Sequence, residues 1–270
     1  MLQIGQRAIY QKDIKSAILE TSKNGFEVLE IHLSSPQFMP ENYSLKQINK
    51  IKKIAQENNV ILQFHAPLEH SLIFTNQEMH SSALKRIDKM IAFSQKVKAR
   101  CLTLHPGKVA MYNLADGTKL KDDDIYSEFY QKLFEDSVKH IVSVSPADLF
   151  VCIENTDNFT ANYQNILEKY LKTKKIFLTW DIRKNYTYDT NELIKEQWRF
   201  VNKNKSCVKN LHVSGFDNAH SQLKGWEEKI IPFLKLFNNQ TLPIIIEIMP
   251  LKQTIKAKNI FERMVASNAK

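Results

Sequence analysis

Leu149-Phe150-Val151-Cys152-Ile153-Glu154-Asn155 decides how this chain is read: five apolar residues run straight into a carboxylate. A run apolar at every position, and not at every second one, is the pattern of a strand buried on both faces, as in a parallel sheet covered by helices. Glu154 closes that strand at its C-terminal end. A carboxylate is costly to bury unless a metal, a proton or a cation satisfies it, so the end of this strand must meet a partner. The same phrase recurs along the chain. Ile176–Asp181 ends in aspartate, Ile244–Glu247 in glutamate, and Val60–His65, Cys101–His105 and Val208–His212 in histidine.

Between these runs lie stretches with helical spacing. Ile14, Ala17, Ile18 and Thr21 form a stripe over Asp13–Lys23, and Leu45, Ile48, Ile51, Ile54 and Ala55 form one over Ser44–Asn58. Thr75 and Glu78 have capping-box spacing ahead of a long helix to about Val97. Further helices are expected over Ile125–Val144, Tyr163–Leu171, Asn191–Phe200, Trp226–Phe237 and Ile255–Val265. Short runs at Leu2–Ile4 and Phe26–Leu33 supply the first two strands. The second carries Glu30 and His32 on one face and Leu29 and Ile31 on the other. The connection from Pro106 through Asp124 is the longest irregular one, a length that usually serves a site.

Strand and helix alternate eight times across residues 1–270 with no break in composition. This is the rhythm of one (β/α)8 TIM-barrel domain, whose right-handed crossovers bring every strand's C-terminal end to one rim. His65, His105, Glu154, Asp181, His212 and Glu247 are separated by 40, 49, 27, 31 and 35 residues, and barrel closure would gather them there. Mixed imidazole and carboxylate donors suit zinc, manganese or iron, and a bridging carboxylate allows one ion or two. One histidine at a strand end is usually a satisfied core residue. Six metal-capable residues at the same end of successive strands are not explained that way.

Composition narrows the chemistry. With only 6 glycines the chain has neither a Walker-type phosphate loop nor a dinucleotide fingerprint. The formal charge of +9 comes from 32 lysines and 6 arginines that are scattered, the pattern of a solvated surface. Cys101, Cys152 and Cys207 lie in or beside apolar runs without close pairing, which suggests buried thiols in a reducing compartment. No signal segment or membrane-length apolar run is visible, so a cytoplasmic protein with no membrane partner is expected. His70, His80 and His140 lie on a loop or on helix faces and are read as structural.

At these positions the chain resembles the xylose isomerase-like TIM barrels, the superfamily of sugar epimerases and of endonuclease IV-type enzymes (AP endonuclease family 2). Glu154, Asp181, His212 and Glu247 match that superfamily's metal ligands at the ends of its last four strands. His65-Ala66-Pro67, His105-Pro106-Gly107 and Glu154-Asn155-Thr156 are similar to its motifs at strands three, four and five. In the endonuclease branch the resemblance implies that both histidines bind a second metal, bridged to the first by the glutamate. Where a histidine usually follows the strand-six aspartate by three residues, this chain has Lys184. Asp217 and His220 stand where the repair enzymes complete a third site, at a spacing longer by one. Their DNA-wedging aromatic after the His-Ala-Pro turn is Leu68 here.

The resemblance implies a sugar or sugar phosphate isomerase or epimerase in which Glu154 and Glu247 exchange a proton beside the metal. Arg183 and Lys184 are then the cations for a phosphate, and Asp217, His220 and Glu30 further substrate contacts, Glu30 having a neighbouring lysine as its alternative partner. The alternative is a two-metal phosphodiesterase acting on abasic-site DNA, with nucleic acid as partner. A third reading is a metal-binding barrel whose chemistry lapsed with the change to Lys184.

Overall fold

The computed structural model describes residues 2–156, 159–215 and 225–268. Its elements follow the alternation of the sequence: β1 (Leu2–Ala8), α1 (Ile14–Lys23), β2 (Val28–His32), α2 (Leu45–Glu57), β3 (Ile61–His65), α3 (Gln77–Lys96) and β4 (Cys101–Leu104). A hairpin of β5 (Met111–Asn113) and β6 (Lys119–Lys121) and a short α4 (Asp122–Ile125) come next. Then follow α5 (Ser127–Val144), β7 (Phe150–Glu154), α6 (Ala161–Leu171), β8 (Phe177–Asp181), α7 (Lys195–Lys203), β9 (Val208–Val213), α8 (Glu227–Leu236), β10 (Leu242–Ile246) and α9 (Leu251–Asn268). Eight strands close a parallel barrel in the order β1-β10-β9-β8-β7-β4-β3-β2.

Two expectations need correction. The cap of α3 is Asn76, whose side-chain oxygen accepts from the Met79 N–H at 3.0 Å, and not Thr75. A residue in extended backbone directly before the first helical turn is placed to do this, and Asn is among the strongest cappers. The connection after β4 is also not irregular throughout, since the β5–β6 hairpin and α4 lie in it. Asp116 accepts from the Thr118 N–H at 2.8 Å to form its turn, which Gly117 completes at φ +85°.

The helices pack on the outer faces of the strands through residues such as Leu29, Ile31, Leu102, Ile153 and Ile244, all buried. The barrel interior is different. Aliphatic layers usually fill such a barrel, but here polar side chains span it. Gln63 on β3 donates to Asn210 on β9 at 3.1 Å, Asn210 donates to Glu30 on β2 at 3.1 Å, and Thr103 on β4 meets Thr179 on β8 at 2.7 Å. None of these strand pairs is adjacent in the sheet, so each bond crosses the interior. Buried polar groups tolerate this only when hydrogen-bonded, and each such bond then favours one register. Gly5 on β1 is held by space: a Cβ there would lie 2.6 Å from the Ile245 side chain and 2.9 Å from the Val28 carbonyl.

Candidate metal centre at the barrel rim

Each strand that ends in a polar donor delivers it to one rim. His65, Glu154 and Asp181 are the last residues of β3, β7 and β8, His212 is the penultimate residue of β9, and His105 and Glu247 follow β4 and β10 by one. Apolar side chains fix the strands to the helices outside, and the period of two then turns these donors inward.

Glu154 is the hub. Its Oε2 lies 3.1 Å from His65 Nε2 and 2.8 Å from His105 Nε2, while its Oε1 lies 3.2 Å from His212 Nδ1. His212 Nδ1 is also 3.7 Å from Glu247 Oε1. On the far side, Glu247 Oε1 accepts from Arg7 on β1 at 3.1 Å. Asp181 is held by its surroundings at both ends: its carboxylate accepts from the Arg183 N–H at 2.8 Å, and its backbone is clasped by the Asn155 amide at 2.9 and 2.6 Å. His32, at the end of β2, stacks flat on His65 with ring centroids 4.2 Å apart.

Burial opposes charge on all of these groups, and the partners decide the outcome. Burial raises the Glu154 carboxyl, but His212 and His105 outweigh it and hold it well below the usual carboxylate range. Glu247 is likewise lowered against its burial, by Arg7 first and then His212. Asp181 has burial and the charges of Glu247 and Glu154 acting in one direction, and its carboxyl is pushed up to about 7. Burial disfavours charge on His212, yet Glu30, Glu247 and Glu154 raise it well above the ordinary imidazole value. His65 is raised against its burial by Glu154. Burial, with His65 and Arg7 nearby, pushes His32 well below the usual range and keeps it neutral.

The donors suit a divalent metal. His65 Nδ1 donates to the Ala66 carbonyl at 2.7 Å, an oxygen that only accepts, so Nε2, 3.1 Å from Glu154 Oε2, is the nitrogen that would give its proton up to a metal. His65, His105 and Glu154 offer three donor atoms within 4.8 Å of one another, as do Glu30, His212 and Glu247. Glu154 thus turns one oxygen to each side of the rim. A cavity of about 250 Å³ lies elsewhere, at the start of α5 and α6 beside Asp123, Tyr130 and Thr160, and no strand-end donor lines it.

Residues 18–254 match the sequence model of the xylose isomerase-like TIM barrel. The chain belongs to that family. No curated protein matches it significantly in sequence. Among solved structures, a D-tagatose 3-epimerase-like protein superposes with a TM-score of 0.74 at 16% identity, covering 99% of this chain and 100% of its own. The 3-keto-D-glucoside 4-epimerase of E. coli does so at 0.72 and 13%, covering 98% and 100%. Endonuclease IV from Thermus thermophilus gives 0.71 at 12%, covering 98% and 99%. At such identities the likeness establishes the fold, which hosts more than one chemistry.

Within this family member, the remaining expected residues fall as follows. Glu30 is fully buried below the rim, where its Oε2 meets Asn210 Nδ2 at 3.1 Å and His212 Nε2 at 3.0 Å, so its partners come from β9 and not from a neighbouring lysine. Arg183 is buried after β8, with its guanidinium on the Tyr186 and Thr187 carbonyls at 3.0 and 3.4 Å and 4.4 Å from the Tyr188 ring centroid. Lys184 is half-buried; its ammonium meets the Tyr188 hydroxyl, and its charge acts to lower Asp181. Asp217 and His220 lie outside the described residues. His70, His80 and His140 bond to the Ala83 carbonyl, the Ser137 hydroxyl and Asp88. Cys101 and Cys152 are free, buried thiols 3.3 Å apart on adjacent strands. No helix among the described residues is long and apolar enough to cross a membrane.

Arg7 and His32 were not singled out as site residues from the sequence. The signal for His32 was present, since a strand that carries Glu30 inward must carry His32 inward two residues later. Arg7 had none, because β1 becomes polar at Gly5-Gln6-Arg7 and the apolar run stops at Ile4.

Proposed function

We propose that this protein is a divalent-metal-dependent enzyme that isomerises or epimerises a sugar or sugar phosphate. The observation that carries this reading is the position of His212 Nδ1, 3.2 Å from Glu154 Oε1 and 3.7 Å from Glu247 Oε1. Two carboxylates reach one imidazole from separate strands, which is how a substrate carbon bound above it would be flanked by two proton-transferring groups. Glu154, Asp181, His212 and Glu247 would hold the metal, with His65 and His105 available for a second ion. When bound, the metal polarises a carbonyl and its neighbouring hydroxyl and acidifies the adjacent C–H.

Glu154 and Glu247 are both held ionised and thus able to accept a proton. One would remove the proton from its face of the sugar, and the other would return one from its own. Lys184, half-buried after β8, is the cation assigned to a substrate phosphate, and Arg183 braces the loop that carries it. The protein with manganese or zinc, incubated in D2O with a panel of ketoses and ketose phosphates, is expected to place deuterium on the carbon next to the carbonyl of one of them. No incorporation across the panel would overturn the reading.

One observation favours a second reading. Glu154 Oε2 is shared by His65 and His105 while Oε1 serves His212, the arrangement of a carboxylate between two ions, and two-ion sites hydrolyse phosphodiesters. Cleavage of an abasic-site duplex, with binding that weakens steeply as salt rises, together with an inactive sugar panel, would put that reading first.

A further inference from the structure

We infer that Glu30 is a positioning residue for His212, fixing the imidazole so that Nε2–H points into the barrel and Nδ1 faces the rim. The inference rests on the reading of the rim as a metal centre, and it reaches one layer beneath it. His212 Nε2 lies 3.0 Å from Glu30 Oε2 and 3.0 Å from Asn210 Nδ2. These neighbours make opposite demands: a carboxylate oxygen only accepts, and an amide nitrogen only donates.

The geometry around Asn210 decides between them. Its Oδ1 accepts from Gln63 Nε2 at 3.1 Å, so the amide orientation is set, and its Nδ2 donates to Glu30 Oε2 at 3.1 Å. Asn210 Nδ2 and His212 Nε2 therefore converge on the same Glu30 oxygen, and their closeness to each other follows from that shared acceptor. An unprotonated Nε2 would set a lone pair against a fully buried carboxylate, which nothing in this interior would offset. Nε2 therefore carries a proton, and Nδ1, 3.2 Å from Glu154 Oε1, is the nitrogen that would give its proton up to a metal at the rim.

The chain Gln63, Asn210, Glu30, His212 runs from β3 through β9 and β2 and back to β9. It holds the ring at a depth where Nδ1 lies between Glu154 and Glu247. A carboxylate behind a ligating histidine fixes its orientation and raises its basicity. Glu30, expected from the sequence to contact substrate, is better assigned to this role, since it is fully buried and its Oε2 is engaged by Asn210 and His212.

The experiment uses the full chain, 15N-labelled at histidine, first with chelator and then with zinc. The His212 signals are identified by their loss in His212→Asn. A slowly exchanging His212 Nε2–H is expected with chelator, and it should persist with zinc while Nδ1 carries no proton. In Glu30→Leu that proton should exchange rapidly, and Glu30→Gln, which keeps an acceptor without the charge, should lose zinc affinity by roughly 10- to 100-fold. A merely structural role would lower the melting temperature of the chelated Glu30→Gln protein and leave its zinc affinity unchanged. That result, or a His212 protonated on Nδ1 alone, would overturn the inference. Wild-type protein that keeps the protected Nε2–H but binds no zinc would sink the metal centre and leave the orientation of His212 standing.

Discussion

Arg7, near the end of the first barrel strand, donates to Glu247, just past the end of the last, at 3.1 Å with both side chains almost fully buried. The pair spans the β1–β10 seam where the barrel closes. It keeps Glu247 ionised, and it occupies an oxygen that a metal at the rim would also take.

Removing the arginine exposes both roles. Arg7→Met leaves a buried carboxylate with less compensation, a change that typically costs about 3 to 5 kcal/mol. For a protein of this size that corresponds to a melting temperature lower by roughly 10 °C. Calorimetry of the chelated protein should show the drop, and zinc should reverse part of it, because the ion takes over the charge that Arg7 balanced. A variant as stable as wild type without metal would mean that Glu247 is satisfied by other partners.

Stoichiometry separates the two sides of Glu154. His65→Ala combined with His105→Ala removes both imidazoles that face Oε2 and leaves the His212 side intact. Elemental analysis of protein purified without chelator is expected to give close to two ions for wild type and one for the double variant. One ion in both proteins would assign the two histidines to substrate or to structure.

The two carboxylates should be separately essential. In Glu154→Gln and in Glu247→Gln, deuterium exchange into the substrate is expected to fall by about 10² to 10⁴, the usual contribution of a positioned acid or base. The losses should appear in kcat, with the circular dichroism of each variant unchanged. Full exchange in either variant would remove that residue from the proton-transfer pair.

The sequence made the rim legible because each of six strands ended an apolar run with one polar side chain, as Ile153-Glu154 and Phe64-His65 do. The same logic missed what lies below. Glu30, Gln63 and Asn210 interrupt their strands with interior polar groups, and the partners of Gln63 and Glu30 are 147 and 180 residues away. Such pairings depend on barrel closure and register, which no local spacing carries. Arg7 was hidden for the same reason: its role depends on a glutamate at the opposite end of the chain. Asn76 displaced Thr75 as the cap of α3 because one residue of backbone decides which side chain faces the helix end.

Asn155 joins the ends of β7 and β8, the strands that close on Glu154 and Asp181. Its amide donates to the Asp181 carbonyl at 2.9 Å and accepts from the Asp181 N–H at 2.6 Å, which fixes the spacing between the ends of β7 and β8. Asn155→Ala leaves a buried backbone donor and acceptor unsatisfied, at about 1 to 3 kcal/mol each. It also frees Asp181, which burial and two neighbouring carboxylates already press toward neutrality, to turn away from them. Chemical denaturation should show the lost stability, and a zinc titration should show weaker binding in the same variant. Lost stability with undiminished zinc affinity would mean that Asp181 is not a ligand, and the ion would then rest on Glu154, His212 and Glu247 alone.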